Sequence, residues 1–177
     1  SSAASDVYKR QVGNSLNDFF YEAFLDELAD QGKHDPFDLR LHLLRDNPRL
    51  TTLLKAVAEL SGGWKRGPWI AEDGTRRARG VAMASPFGSE AAVIAEVSID
   101  NGQVKVHDIW QAIDPGSIVN PAIIDAQVNG AVALGLSQAL VEEAVYIDGK
   151  PRARNYDLYP ILPAARMPRV HVKIIES

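Results

Sequence analysis

Residues 113–143 read IDPGSIVNPAIIDAQVNGAVALGLSQALVEE, and the fold turns on them. Pro115 and Gly116 break the run before them. Asn120 is a good N-cap, and Pro121 suits the first helical position, where its missing N–H costs nothing. From 122 to 141 small or apolar residues lie on nearly every side, the pattern of a long buried helix. Asp125, Gln127, Asn129, Ser137 and Gln138 are the exceptions, and each needs a partner if buried. At about 100° per residue, Gln127, Gly130, Ala131 and Leu134 share one face. That face sets an amide beside a residue without a side chain, where a bulky polar ligand can approach the backbone. A plainer reading has Gly130 and Gly135 allowing close helix packing and Gln127 bonding a neighbouring loop. Buried polar groups usually find such ordinary partners, so spacing alone favours the plainer reading.

Upstream the period changes to that of strands. Residues 91–99 are apolar enough for a buried strand, and Asp100-Asn101-Gly102 is a strong hairpin signal. Residues 103–113 return, with Val104 and Val106 alternating against Gln103, Lys105 and His107. His107-Asp108 has the composition of an acid–base pair. Adjacent strand residues point to opposite faces, so a surface histidine is the expected outcome. A short strand at 80–84 precedes the loop Ser85-Pro86-Phe87-Gly88-Ser89. Residues 72–79 read as a polar turn centred on Asp73-Gly74. Trp64 and Trp69 flank a Gly/Pro loop and are expected to anchor it.

The N-terminal part is helical. Phe19, Phe20, Ala23, Phe24 and Leu28 recur at spacings of three and four, an aromatic stripe expected to face the core. Ser15 or Asn17 is the predicted cap, and Gly32 the stop. A second helix starts at Asp35-Pro36, with Phe37, Leu39, Leu41, Leu43 and Leu44 predicted inward, and Asn47-Pro48 ends it. A third spans 51–60 with Leu53, Leu54, Val57 and Leu60 inward. His34 and His42 lie on different elements without a further carboxylate or thiol, too few ligands for a metal site. Downstream of the long helix, 144–147 reads as a strand, Asp148-Gly149 as a turn and 152–155 as its return. Residues 156–163 are extended and irregular, and 170–175 alternate in a last strand.

With 177 residues the chain fits one domain with a sizeable core. Residues 1–11 (SSAASDVYKRQ) fit no pattern, resemble translated adapter sequence, and are expected to be a non-native or disordered peptide. Residues 12–177 form the domain proper. A net charge of −4 argues against a nucleic-acid partner. The local basic cluster Lys65, Arg66, Arg76, Arg77 and Arg79 is interrupted by Glu72 and Asp73 and reads as a solvated loop. The chain has no cysteine, which excludes disulfides, zinc thiolates and iron–sulfur ligation within it. Asp125, Gln127 and Asn129 make a lipid-facing span through 122–141 improbable. No signal peptide, repeat, phosphate-binding loop or nucleophile elbow is visible. Residues alone therefore give an α+β domain: N-terminal helices, a β-hairpin in a mixed sheet, and a long buried helix.

A family resemblance sharpens this. Asp114-Pro115-Gly116-Ser117-Ile118-Val119-Asn120-Pro121, followed by Ala126-Gln127-Val128-Asn129-Gly130 and Gly135-Leu136, resembles the molybdopterin-binding subunit of the xanthine oxidase family, in the isoquinoline 1-oxidoreductase β-subunit-like branch. Residues 12–20 with Glu22 and Asp26-Glu27-Leu28-Ala29, Asp35-Pro36 with Arg40, Leu43 and Leu44, and Ala95-Glu96-Val97-Ser98-Ile99-Asp100 continue it. The resemblance implies that residues 12–177 are a partial molybdopterin-binding domain, within a molybdenum hydroxylase that places water-derived oxygen on a nitrogen heterocycle or an aldehyde. It implies a molybdopterin cofactor and iron–sulfur clusters on a partner α subunit. It also implies contact with the remainder of its own subunit and with a small-molecule substrate. Gln127 matches the family glutamine that hydrogen-bonds the cofactor, and an amide suits a pterin or phosphate edge because it donates and accepts. Gly130 would keep that face open, and Gly13 falls in a loop beside the molybdenum centre. Arg10 stands at the place of a family arginine, but it lies in the suspect peptide and inherits no role. The family's catalytic glutamate follows a stretch resembled by 170–177, and Glu176 is not that residue. No catalytic residue is thus expected in this chain, which is expected to be inactive alone. The alternative is a non-catalytic α+β interaction domain on the same scaffold, which charged replacements on the long helix's cofactor face would favour.

Overall fold

A computed structural model of the chain describes residues 13–177; the predicted peptide at 1–11, with Arg10, lies outside the described residues. Three helices come first: α1 (Asn14–Gly32), α2 (Pro36–Leu43) and α3 (Pro48–Leu60). Asp35 caps α2 by accepting from the Phe37 and Asp38 N–H groups, and Asn47 caps α3 through the Leu50 N–H. Neither Ser15 nor Asn17 caps α1, which starts after Gly13 without a side-chain cap.

Four strands follow: β1 (Trp69–Ile70), β2 (Arg76–Ala84), β3 (Glu90–Asp100) and β4 (Gln103–Asp114). Then come α4 (Pro121–Leu140), a two-residue pair β5 (Tyr146–Ile147) and β6 (Lys150–Pro151), and β7 (Arg169–Ile174). The main sheet runs β1-β2-β3-β4-β7. It is antiparallel up to β4, and β7 lies parallel to β4. The hairpin at 100–103 has φ of +50° at Asn101 and +76° at Gly102, the two positive values that a tight two-residue turn needs. A parallel neighbour requires a crossover, and α4 is that crossover. The architecture is the expected α+β with a mixed sheet. The return strand sits at 150–151 rather than 152–155 because Asp148-Gly149 makes the shortest possible connection.

The sheet is covered on both faces. On one, Leu53, Leu54, Ala56 and Val57 of α3 with Phe37 of α2 pack on Val81, Ala92, Ile94, Trp110 and Ala112. On the other, Val128 and Val132 of α4 pack on Ile109, with Val93, Ala95, Val106, Ile113, Val170 and Val172 around them. Burial on both faces explains why β3 reads as a continuous apolar run.

Three expectations need correction. The aromatic stripe of α1 is not core: Phe19 is 67 % and Phe20 62 % exposed, while Leu25 and Ala29 are buried. Arg40 is the physical reason. It is 2 % exposed and donates to Glu22 Oε2 at 2.9 Å, Asp26 Oδ1 at 2.7 Å and the Pro36 carbonyl at 3.0 Å, drawing α1's acidic side inward. The Met83 N–H of β2 also donates to Glu22, so α1 lies against that strand. On α2, Arg40 takes the inward place expected for Leu43, which is exposed. Second, α4 is not buried all round: Val128, Val132 and Ser137 are buried, and its outer side faces solvent. Third, Arg77 and Arg79 are not in a solvated loop. Both lie on β2, where their guanidinium groups pair with the buried Glu96 at 2.7 and 2.9 Å. Arg79 is also held between the rings of Trp69 and Trp110. The loop before them is anchored as expected, with Trp64 stacked on Phe37 at 5.4 Å and its Nε1 donating to Asp35 at 2.9 Å.

Candidate cofactor-facing site

The turn into α4 is built around Asp114. Its carboxylate accepts from Arg49 Nε at 2.7 Å, the Gly116 N–H at 2.9 Å and Ser177 Oγ at 3.1 Å. The Arg49 hydrogen bond foremost holds this carboxyl well below the usual carboxylate range. Gly116 sits at φ +81°, a conformation that a side chain would strain. Asn120 then caps the helix as predicted, accepting from Ala122 N–H at 3.1 Å and Ile123 N–H at 3.4 Å, with Pro121 next.

α4 therefore enters at a fixed angle and presents Gln127, Gly130, Ala131 and Leu134 outward, all four exposed. Among the described residues the Gln127 amide bonds to nothing, so the neighbouring-loop partner of the plainer reading is not there. A Cβ built at Gly130 or at Gly135 would meet no atom within 4 Å, so neither glycine serves close helix packing. Of the other polar residues of α4, Asn129 and Ser137 are bonded, while the exposed Gln138 is, like Gln127, unbonded among the described residues. Asn129 Nδ2 donates to the Asp125 carbonyl at 2.9 Å, and the buried Ser137 Oγ accepts from the Leu162 N–H at 2.9 Å. An unpaired amide beside bare helix backbone is compatible with a broad polar group such as a pterin: it supplies donor and acceptor without obstruction.

Gly13 lies elsewhere, at the entrance to α1, in ordinary helical backbone (φ −57°). The structure does not gather it with Gln127 and Gly130. A groove of about 640 Å³ does run between α1 and α4 over the sheet, lined among others by Ser15, Phe19, Ala131 and Gly135, but none of the three predicted site residues lines it. Glu176 is exposed at the end of β7.

The His107-Asp108 pair is split. His107 Nε2 lies 2.7 Å from Ser98 Oγ, and burial first of all lowers its pKa. Asp108 is buried instead with Arg169 at 2.7 Å and His171 at 2.8 Å. Burial pushes its carboxyl up, but those two partners outweigh it and the net shift is downward. Sequence reading missed the clamps Arg40–Glu22/Asp26 and Arg49–Asp114. Arg40 did leave a sign: it completes the helical spacing Phe37, Arg40, Leu41, Leu44 on an otherwise apolar side. Arg49 and Asp114 are 65 residues apart and left none.

The chain as a whole is similar in sequence to known proteins. The model of the molybdopterin cofactor-binding domain family matches residues 48–168. The chain is 32 % identical over 96 % of its length to the β subunit of isoquinoline 1-oxidoreductase from Brevundimonas diminuta. It is 30 % identical over 95 % to a nicotinate dehydrogenase subunit from Pseudomonas putida. It is 27 % identical over 95 % to the protein of Gluconacetobacter polyoxogenes named membrane-bound aldehyde dehydrogenase (pyrroloquinoline-quinone). The chain belongs to the molybdopterin cofactor-binding domain family, within the xanthine oxidase group that its motifs resemble. It spans 22 %, 15 % and 24 % of those three relatives. Among the described residues no helix is long and apolar enough to cross a membrane.

Proposed function

We propose that the chain is part of the cofactor-binding subunit of a molybdenum hydroxylase acting on a nitrogen heterocycle, with an aldehyde as the second choice. The names of two relatives that match at 30 % identity or more over at least 95 % of this chain, isoquinoline 1-oxidoreductase and nicotinate dehydrogenase, support the heterocycle. When bound, the molybdenum cofactor supplies the oxidation, and electrons pass to iron–sulfur clusters on a partner subunit.

In this reading Gln127 hydrogen-bonds the cofactor's polar edge, and Gly130, one turn along, leaves the backbone uncovered so that the edge can come close. Gly13 lines a cofactor-side loop. Arg49 and Asp114 orient the helix that carries Gln127. The catalytic base and the substrate contacts come from the remainder of the polypeptide, so the chain is expected to be inactive by itself. The interaction-domain alternative would be favoured by charge on the outer side of α4, and Gln127, Gly130, Ala131 and Leu134 carry none.

The observation that carries the proposal is the unpaired Gln127 amide beside the open Gly130. The test is Gln127→Leu in the complete subunit with its iron–sulfur partner. Gln127 is exposed and unbonded, so the fold should be untouched. Loss of a hydrogen bond worth about 1 kcal/mol or more should lower molybdenum occupancy under limiting cofactor by roughly fivefold to tenfold, with turnover falling in parallel. Unchanged metal content and rate would remove the assignment.

A further inference from the structure

Helix α1 wears its apolar side outward. Leu16, Phe19, Phe20, Phe24 and Leu28 cover one half of it and are all exposed, with the Phe19 and Phe20 rings 5.6 Å apart. The other half is fixed to the body by Arg40 and the Met83 N–H, so the helix cannot roll over without breaking those bonds. The aromatic side continues into the groove of about 640 Å³ between α1 and α4, whose walls include Phe19, Ala23, Val93, Ile109 and Leu136. Asp18 stands on the same groove wall with no ion pair or hydrogen bond of its side chain among the described residues, and burial raises its pKa.

We propose that this groove and the outward aromatic side of α1 form one docking surface for an apolar segment of the same subunit that carries a lysine or arginine for Asp18. The chemistry follows from the walls: an apolar channel selects an apolar occupant, and an unpaired carboxylate within it selects a cation. The source follows from length, since the chain spans 22 % of one relative and 15 % of another, which leaves ample polypeptide to fill the channel. A second copy is disfavoured because a two-fold contact through the groove would set one unpaired Asp18 near the other, on a chain of net charge −4. The unpaired Asp18 and the net negative charge likewise disfavour an anionic lipid surface. The inference rests on the family assignment and not on the Gln127 contact.

The test places the photo-crosslinker p-benzoyl-phenylalanine at Phe20 in the complete subunit and maps the product by peptide mass spectrometry. The expected product is a cross-link within one polypeptide, to an apolar peptide containing lysine or arginine. A cross-link to a second copy, to the iron–sulfur partner or to lipid, or no cross-link, overturns the proposal. Asp18→Lys in the same background should lower the cross-link yield severalfold, and an unchanged yield removes the charge pairing. Phe20→Asp in the complete subunit should lower its melting temperature by several degrees, whereas an unaltered value means that water already covers the site. None of these readouts depends on molybdenum content, so failure here is distinct from failure of the Gln127 assignment.

Discussion

Helices α3 and α4 lie on opposite faces of one sheet and settle their apolar surface in different ways. α3 sets Leu53, Leu54, Ala56 and Val57 inward and leaves Thr52, Lys55 and Glu59 outside. All its apolar demand is met within the chain. α4 meets the sheet with Val128 and Val132 yet keeps Ile123, Ala131 and Leu134 on its outer side. An all-round apolar helix therefore reveals how much covering it calls for. It does not reveal whether that covering belongs to the same stretch of sequence.

The contrast can be broken most directly by truncating one leucine on each helix. Leu54→Ala, at a position of 0 % exposure, should cost about 2–5 kcal/mol in urea unfolding of this chain. Leu134→Ala, at 51 % exposure, should change stability by less than about 0.5 kcal/mol. Equal losses would mean that α4 is as fully packed as α3.

Acid tests the strap between them, Arg49 of α3 on Asp114 before α4. Asp114, Asp108, Glu96, Asp73 and Glu59 have folded pKa values below their ordinary ones. Stability from these groups is complete above the ordinary carboxylate range and is lost as pH falls through the folded values. Glu22 and Asp18, raised chiefly by burial, act in the opposite sense: their share is present below the ordinary pKa and lost as pH rises through the folded one. The lowered set is larger, so the melting temperature should drop by roughly 5 °C or more between about pH 5 and pH 3. Circular-dichroism melts of Asp114→Asn should begin lower and fall less over that range. A slope identical to the parent's would show that Asp114 does not strap the two helices.

The smallest expected effect has the opposite sign. A methyl group at Gly130 meets nothing within 4 Å, and alanine is the better helix former. Gly130→Ala should stabilise this chain by up to about 1 kcal/mol in the same unfolding assay. If Gly130 keeps space for the cofactor, the same change should lower molybdenum content in the complete subunit. A gain in both would assign Gly130 no part in binding.

Much of the fold was legible because its signals are local. Asp35-Pro36 and Asn120-Pro121 announce two helix starts, Asn47-Pro48 reads only as a stop although it also caps α3, and Asn101-Gly102 announces the hairpin through the positive φ that only such residues adopt readily. Long-range polar bonds were not legible. The orientation of α1 depends on Arg40 reaching Glu22 across 18 residues, and no periodicity of α1 itself encodes that reach. Gln127 was legible as an unusual residue on an apolar helix. Its lack of a loop partner was not, because solvent exposure is decided by the angle at which Asp114 and Gly116 launch α4.

Among the described residues, strand β7 is the edge of the main sheet beyond β4. Arg169, His171 and Lys173 alternate along it, engaged with Asp108 and Glu59. Another chain adding there by backbone pairing would have to dehydrate or displace that row of polar and charged side chains, a recognised guard against fibril-like stacking. Clumping of this polypeptide in concentrated solution should then proceed through helical faces and dissolve in mild detergent, without the dye response of a cross-β deposit.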